Sequence, residues 1–145
     1  MICRSCDVTF RVRYAETDQM GIAHHSNYFV WFEMGRSELC LLWGVPYEQW
    51  EKAGVILPLA EVSCRYRRPA LYDEQLRLVT TLDSVSRVSV SFSYRLLGAE
   101  GELRAQGWTK HAFASPDGKL IKGGHEFLSP LIETMKRVLE TPENA

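Results

Sequence analysis

The chain has no apolar run long enough to cross a membrane. A spanning helix needs about 20 consecutive, mostly apolar residues, and none occurs in the 145-residue sequence. No membrane insertion is expected. The opening residues, MICRSCDVTF, lack the apolar core of a secretory leader. Neither sign of charge dominates: 17 Lys and Arg oppose 18 Asp and Glu, a formal net charge of −1. Nucleic acid is therefore not an expected partner, and any anion-binding patch must be local. Cysteine is scarce. Cys3 and Cys6 form one C-x-x-C, but no second C-x-x-C or H-x₃-H exists to complete a zinc site. Their terminal position lacks the preceding strand and following helix of a redox motif. No metal is expected. Cys40 and Cys64 fall within apolar patterns and read as small core residues, in a reducing, cytoplasmic setting. Repeats, linkers and low-complexity stretches are also missing, so residues 1–145 read as one domain.

What is present is a dense stretch from Tyr14 to Gly44. It combines the end of a strand, a loop carrying Glu16, Asp18, His24 and His25, and then one apolar helix. Ser26 and Asn27 are cap-forming residues and mark the helix start. Tyr28, Trp31, Phe32, Gly35, Leu39 and Leu42 fall on one face of a 3.6-residue period. Gly35 costs helix stability, about 1 kcal/mol against Ala, which predicts that something packs closely against the helix backbone there. Glu33 and Arg36 have the i,i+3 spacing of an ion pair. Gly44 followed by Pro46 predicts the stop. The free N–H groups of a helix start favour an electron-rich group, so Asp18 is placed to meet whatever that terminus holds.

Elsewhere the chain reads mainly as strands. Residues 7–14 alternate, with Val8, Phe10, Val12 and Tyr14 on the apolar side. Residues 45–54 read as a short helical or turn segment ending at Gly54. Residues 59–68 alternate again, and Pro69 ends that strand or places it on an edge. Leu76, Leu78 and Leu82 mark another strand, and Val88 to Leu96 the next. Residues 98–101 form a hairpin loop, and 102–115 the last strand, with Gly107 hinting at a bulge. Ser129-Pro130 opens a terminal helix with Pro at its first position. Half-apolar strands around one apolar helix give an α+β arrangement, the antiparallel sheet wrapping the helix. One helix cannot cover such a sheet, which points to a symmetric dimer.

The motif RVRYAETDQMGIAHHSNYFVWFEMGR, from Arg11 to Arg36, resembles the hotdog-fold acyl-CoA thioesterases, in their 4-hydroxybenzoyl-CoA thioesterase-like branch. That branch includes thioesterases associated with Tol–Pal gene clusters. The stretch from Arg65 to Ala70 is similar to the family as well. The resemblance implies a five-stranded antiparallel sheet around a long central helix, with the C-terminal helix added. It implies a homodimer, often paired into a homotetramer, with active sites between subunits. By the same resemblance Asp18 is the essential carboxylate, either nucleophile or general base. The backbone N–H of His25 supports the thioester oxygen, and its imidazole orients water or hydrogen-bonds Asp18 or the thioester. Gly21 and Tyr28 are expected to shape the substrate site. No cofactor is implied, because coenzyme A belongs to the substrate. Its phosphates call for local cations: Arg65, Arg67, Arg68, Arg87 and Lys122 are candidates, with Arg67 and Arg68 preferred.

Other readings compete with these. Asp18 could simply cap a turn, and His25 could be an ordinary cap or surface residue. A metal site at Asp18, His24 and His25 lacks a fourth ligand. Glu33 could be the carboxylate that another hotdog branch carries within its helix. At the level of function, the alternative is a non-catalytic protein that binds acyl-CoA or an acyl-carrier protein. A dehydratase would need a His/Asp or His/Glu placement that the sequence does not show.

Overall fold

A computed structural model describes residues 2–121 and 123–141. Its five strands are β1 (Ser5–Arg11), β2 (Leu59–Tyr66), β3 (Gln75–Val85), β4 (Ser89–Leu97) and β5 (Leu103–Ala112). They form one sheet in the order β1-β3-β4-β5-β2, every pairing antiparallel. The helices are α1 (Asn27–Leu42), α2 (Tyr47–Lys52) and α3 (Leu128–Glu140).

α1 lies in the concave side of the sheet because its apolar stripe is continuous there. Tyr28, Trp31, Phe32, Gly35, Leu39 and Cys40 are buried. Leu42 is instead exposed, because the last turn of the helix adds no covered position and Cys40 completes the stripe. Phe32 stacks flat on Tyr94 of β4, ring centroids 4.2 Å apart. Two glycines make this approach possible. A Cβ on Gly35 would lie 2.1 Å from Thr80 Oγ1 and 2.8 Å from Leu78 Cδ2. A Cβ on Gly107 would lie 2.4 Å from the Phe32 ring. Gly107 is thus not a bulge: it pairs in register with Tyr94 and with Cys64, and it is small because an aromatic ring lands on it. The ladder irregularities fall elsewhere, at Leu59/Glu61, Leu82/Ser84 and Leu96/Leu97.

Gly35→Ala tests this contact. On an open helix the change would gain about 1 kcal/mol. Here it is expected to cost about 1–3 kcal/mol by overpacking. The check is a fall in urea midpoint at unchanged slope.

The helix ends as its sequence predicts. Gly44 has φ +81°. Its N–H donates to Leu41 O and that of Val45 to Cys40 O, the two bonds of a glycine-terminated Schellman stop. The start differs from expectation. Ser26 makes no side-chain cap bond, because its hydroxyl is engaged with His24 Nδ1 at 2.8 Å. Asn27 ties the loop instead, its Nδ2 donating to Glu16 O at 2.9 Å.

β1 ends at Arg11, and Tyr14 opens a short 3-10 turn in which it is exposed. β5 ends at Ala112, short of the expected span. α3 begins at Leu128, so Pro130 sits within its first turn rather than at its first position, still where no N–H is required. His125 Nδ1 caps that helix, accepting the N–H groups of Phe127 and Leu128. The helix packs on β3 through Leu128, Ile132 and Met135. β2 lies at the sheet edge, and most of it is exposed on both faces. Leu59, Val62 and Tyr66, with Phe29 and Val30 of α1, are left uncovered.

Candidate active site

The loop before α1 is a small hairpin. Thr17 bridges Ala23, Asp18 N–H donates to Ile22 O, and Gly21 N–H donates to Asp18 O. Gly21, at φ +77°, takes the left-handed position the turn needs. Asp18 Oδ1 accepts the Met20 N–H at 2.8 Å, which fixes the carboxylate at the hairpin tip. Further bonds clamp the hairpin to the chain after β2: Ala23 N–H to Ala70 O, and Tyr72 N–H to Gly21 O.

Glu16 fastens this hairpin to α1. It is only 4% exposed. Its Oε2 accepts the indole N–H of Trp31 at 2.8 Å, and its Oε1 accepts the Arg13 N–H at 2.7 Å. A buried carboxylate needs such donors. The result is that the hairpin carrying Asp18 is registered against a core residue of the helix. His24 N–H donates back to Glu16 O at 2.8 Å, which brings His25 to the helix entrance.

Asp18, His24, His25, Tyr28, Arg67 and Arg68 line one open cleft of about 440 Å3, with Tyr66 and Pro69 on its far wall. Five of the six residues singled out from the sequence therefore meet here. The sixth, Gly21, shapes the turn and does not line the cleft. Among the described residues nothing accepts the His25 backbone N–H. The carbonyl of the same residue accepts the Tyr66 hydroxyl at 3.1 Å, which holds the peptide in place. The His24 and His25 rings lie 4.1 Å apart between centroids, tilted by 32°.

Both tyrosines of the cleft stay protonated. Although the Tyr66 ring is partly uncovered, desolvation where its hydroxyl end meets the protein pushes it up to about 12, helped by its bond to Cys64. Burial also raises Tyr28, against the opposing effect of the Ala70 N–H. Tyr28 accepts that N–H and keeps its own proton free to donate.

The cations sort clearly. The N–H groups of Arg67 and Arg68 both donate to Arg104 O, which turns the chain out of β2 and puts both residues on the cleft. Neither guanidinium has an ion-pair partner among the described residues. Arg104 is already committed to Glu74 and Glu102. Arg65 lines a groove with Arg95 and Trp108 instead, away from Asp18. Arg87 lies in the β3–β4 turn and does not line the cleft. Lys122 lies outside the described residues.

Glu33 and Arg36 do not pair. Arg36 Nη1 donates to the Tyr94 hydroxyl at 3.1 Å, so that the i,i+3 spacing is overridden by a partner on the sheet. The sequence reading gave Glu16 and Tyr66 no role in positioning the site. The partners that reveal those roles, Trp31 and His25, lie 15 and 41 residues away.

One long helix wrapped by a five-stranded antiparallel sheet is the plan of the hotdog fold. The comparisons agree. The family described as the thioesterase-like superfamily matches residues 12–136. Bacillus subtilis YneP, named provisionally as an acyl-CoA thioesterase, is 37% identical over 100 residues, 69% of this chain and 72% of its own. Escherichia coli YbgC, named an acyl-CoA thioester hydrolase, is 27% identical over 93 residues, 64% of this chain and 69% of its own. The structure of a DHNA-CoA thioesterase from Staphylococcus aureus superposes with a TM-score of 0.85 at 28% identity, covering 97% of this chain and 92% of that one. The chain belongs to the thioesterase-like superfamily and has the hotdog fold. Among the described residues no helix is long and apolar enough to cross a membrane.

Proposed function

We propose that this protein hydrolyses acyl-CoA thioesters to the free acid and coenzyme A. The observation that carries the reading is the single cleft shared by Asp18, His25, Tyr28, Arg67 and Arg68. The His25 N–H donates to the thioester oxygen and strengthens its hold as negative charge develops there, an effect worth about 3–4 kcal/mol of barrier. Asp18 acts in one of two ways. As base, it takes a proton from water while the water oxygen bonds to the carbonyl carbon. As nucleophile, it forms that bond itself, and water then cleaves the mixed anhydride. In both, the C–S bond breaks and the thiolate leaves. A thiol pKa near about 8.5 makes that departure easy, so no strong general acid is required. His25 orients the water, and Arg67 and Arg68 receive the phosphates of the substrate.

No cofactor enters this scheme. Four free cysteines fit a reducing cytoplasm. The uncovered edge of β2 and the apolar residues beside it on α1 support assembly with a second copy, which would close the cleft from outside.

A thiol-release assay over short, long and aromatic acyl-CoAs tests the class. Turnover of at least one is expected. Binding by calorimetry with no thiol release from any of them would move the protein to the non-catalytic acyl-CoA-binding reading.

A further inference from the structure

The five strands carry Arg11, Arg65, Arg77, Arg95, Arg104 and Lys110 as their cations. Four of these meet carboxylates. Arg11 lies 3.8 Å from Asp73, Arg77 2.7 Å from Asp7 and Lys110 3.9 Å from Glu61, while Arg104 holds Glu74 and Glu102. Arg65 of β2 and Arg95 of β4 have no such partner among the described residues. Both are exposed, and both line one groove of about 630 Å3. The groove lies on the outer face of the sheet. Tyr94 turns its ring to Phe32 on α1, so its strand neighbours Ser93 and Arg95 face the other way.

Strand register sets the groove out in two rows. Gln106 pairs with Arg65 on one side and with Arg95 on the other, so the two arginines stand two strand spacings apart, about 10 Å. Two residues along β5, about 7 Å away, Trp108 pairs with Ser63 and Ser93. Its indole is half-buried between these two small residues. Asp83 Oδ2 accepts the indole N–H at 3.0 Å, which pins the ring. No carboxylate lines the groove. The strand also separates this groove from the cleft of Asp18. β2 ends at Tyr66, so that Arg65 lines the groove and Arg67 the cleft.

Two unpaired arginines with no acid beside them call for an anion, and guanidinium groups take phosphate oxygens in pairs. A pinned indole offers a flat face on which a planar ring stacks. Between them the Gln106 amide and the hydroxyls of Ser63 and Ser93 can donate and accept. A nucleoside phosphate presents an anion, a sugar with hydroxyls and a planar base in that same order. Two cations match one phosphate group, whereas a nucleic-acid backbone needs a longer track of charge. A second copy stacked here about a two-fold axis through the groove would bring four arginines together. We propose that Arg65, Arg95 and Trp108 form a binding site for a free nucleoside mono- or diphosphate, separate from the thioester cleft. Pairing of a second copy along the β2 edge would leave this face open, because edge pairing adds strands in the plane of the sheet.

Calorimetric titration of the full chain with ADP, adenosine and inorganic phosphate tests the site. ADP is expected to bind at least about tenfold more tightly than either fragment, because only ADP engages both rows. Arg65→Ser and Arg95→Ser are each expected to weaken ADP about tenfold or more, and Trp108→Leu about tenfold. Trp31, Trp43 and Trp50 are buried, so quenching of tryptophan emission by ADP reports on Trp108 and should vanish in Trp108→Leu. The nucleotide end of coenzyme A shares this chemistry, and two double variants tell it apart. Arg67→Ser with Arg68→Ser alters the cleft and should leave ADP affinity unchanged. Arg65→Ser with Arg95→Ser alters the groove and should leave KM for an acyl-CoA unchanged. No binding at millimolar ADP, equal affinity for ADP and phosphate, or an affinity unmoved in all three groove variants overturns the site. Loss of ADP in the cleft variant, or a raised KM in the groove variant, assigns the nucleotide to the substrate and overturns a separate site.

Discussion

Asp18→Asn is expected to lower kcat for acyl-CoA hydrolysis by a factor of about 10²–10⁴, the range for losing a positioned base or nucleophile. The substitution is chosen because it separates two roles that coexist at this residue. Asp18 Oδ1 accepts the Met20 N–H and so does cap a turn. Asn keeps an oxygen for that bond and has nearly the same shape, so the hairpin and its clamps to Ala70 and Tyr72 should survive. What Asn lacks is the second, negatively charged oxygen. If the turn were the whole role of Asp18, activity and melting temperature would both stay at wild-type values. If the carboxylate reacts, kcat falls while KM and the melting temperature barely move, because on the proposed reading the substrate is held by Arg67, Arg68 and the His25 N–H, which line the same cleft and are unchanged. Equal turnover by the two enzymes would exclude the mechanism while leaving the fold intact.

The parts of this molecule legible in the sequence are those fixed by short-range periodicity. The stripe on α1 and the alternation along β3 and β4 each record a single burial direction. They are enough to specify the antiparallel sheet and the central helix. Gly35 also read correctly, since only close approach offsets a mid-helix glycine. Gly107 did not: a small residue in a strand fits a bulge or an incoming ring, and only the position of Phe32 decides. Tyr14 continued the alternation of β1, but Glu16 captures the Arg13 N–H and turns the chain before Tyr14 can point inward. Strand phase misled at the arginines in the same way. Arg65 and Arg67 would share a face if β2 continued, yet it stops at Tyr66, and Arg67 turns to the cleft while Arg65 does not. The residues that place the site, Glu16 with Trp31 and Tyr66 with His25, act across distances along the chain that no local pattern encodes.

Acid is expected to destabilise the fold through His111. The residue is 2% exposed, and its two nitrogens are committed to Leu57 O and Thr109. Burial, and then the nearby Arg36 cation, hold its imidazole down at about 4, against an ordinary value of 6.5. The other groups around it do not offset this. From α1 come Arg36, the Cys40 thiol, which burial pushes up to about 12, and Glu33, all lining a small cavity with His111. Tyr47 comes from α2, and Tyr94 from β4, raised by burial against the opposing effect of Arg36. The sign follows from proton uptake. Between pH 6.5 and about 4 the unfolded chain binds a proton at this histidine that the folded chain refuses. The stabilisation is therefore complete above 6.5 and is lost as pH falls towards 4, to a limit of about 3 kcal/mol. Protonation would also reverse the hydrogen bonds that run from His111 Nε2 through Thr109 to Tyr94, turning Nε2 into a donor and leaving the Tyr94 proton without its acceptor. Urea unfolding of wild type and His111→Gln, each at pH 7 and at pH near 4.5, isolates the effect. Gln can donate and accept but does not titrate in this range. Wild type should lose about 2–3 kcal/mol more than the variant on acidification. Parallel losses in the two proteins would show that His111 takes up its proton as readily in the fold as out of it.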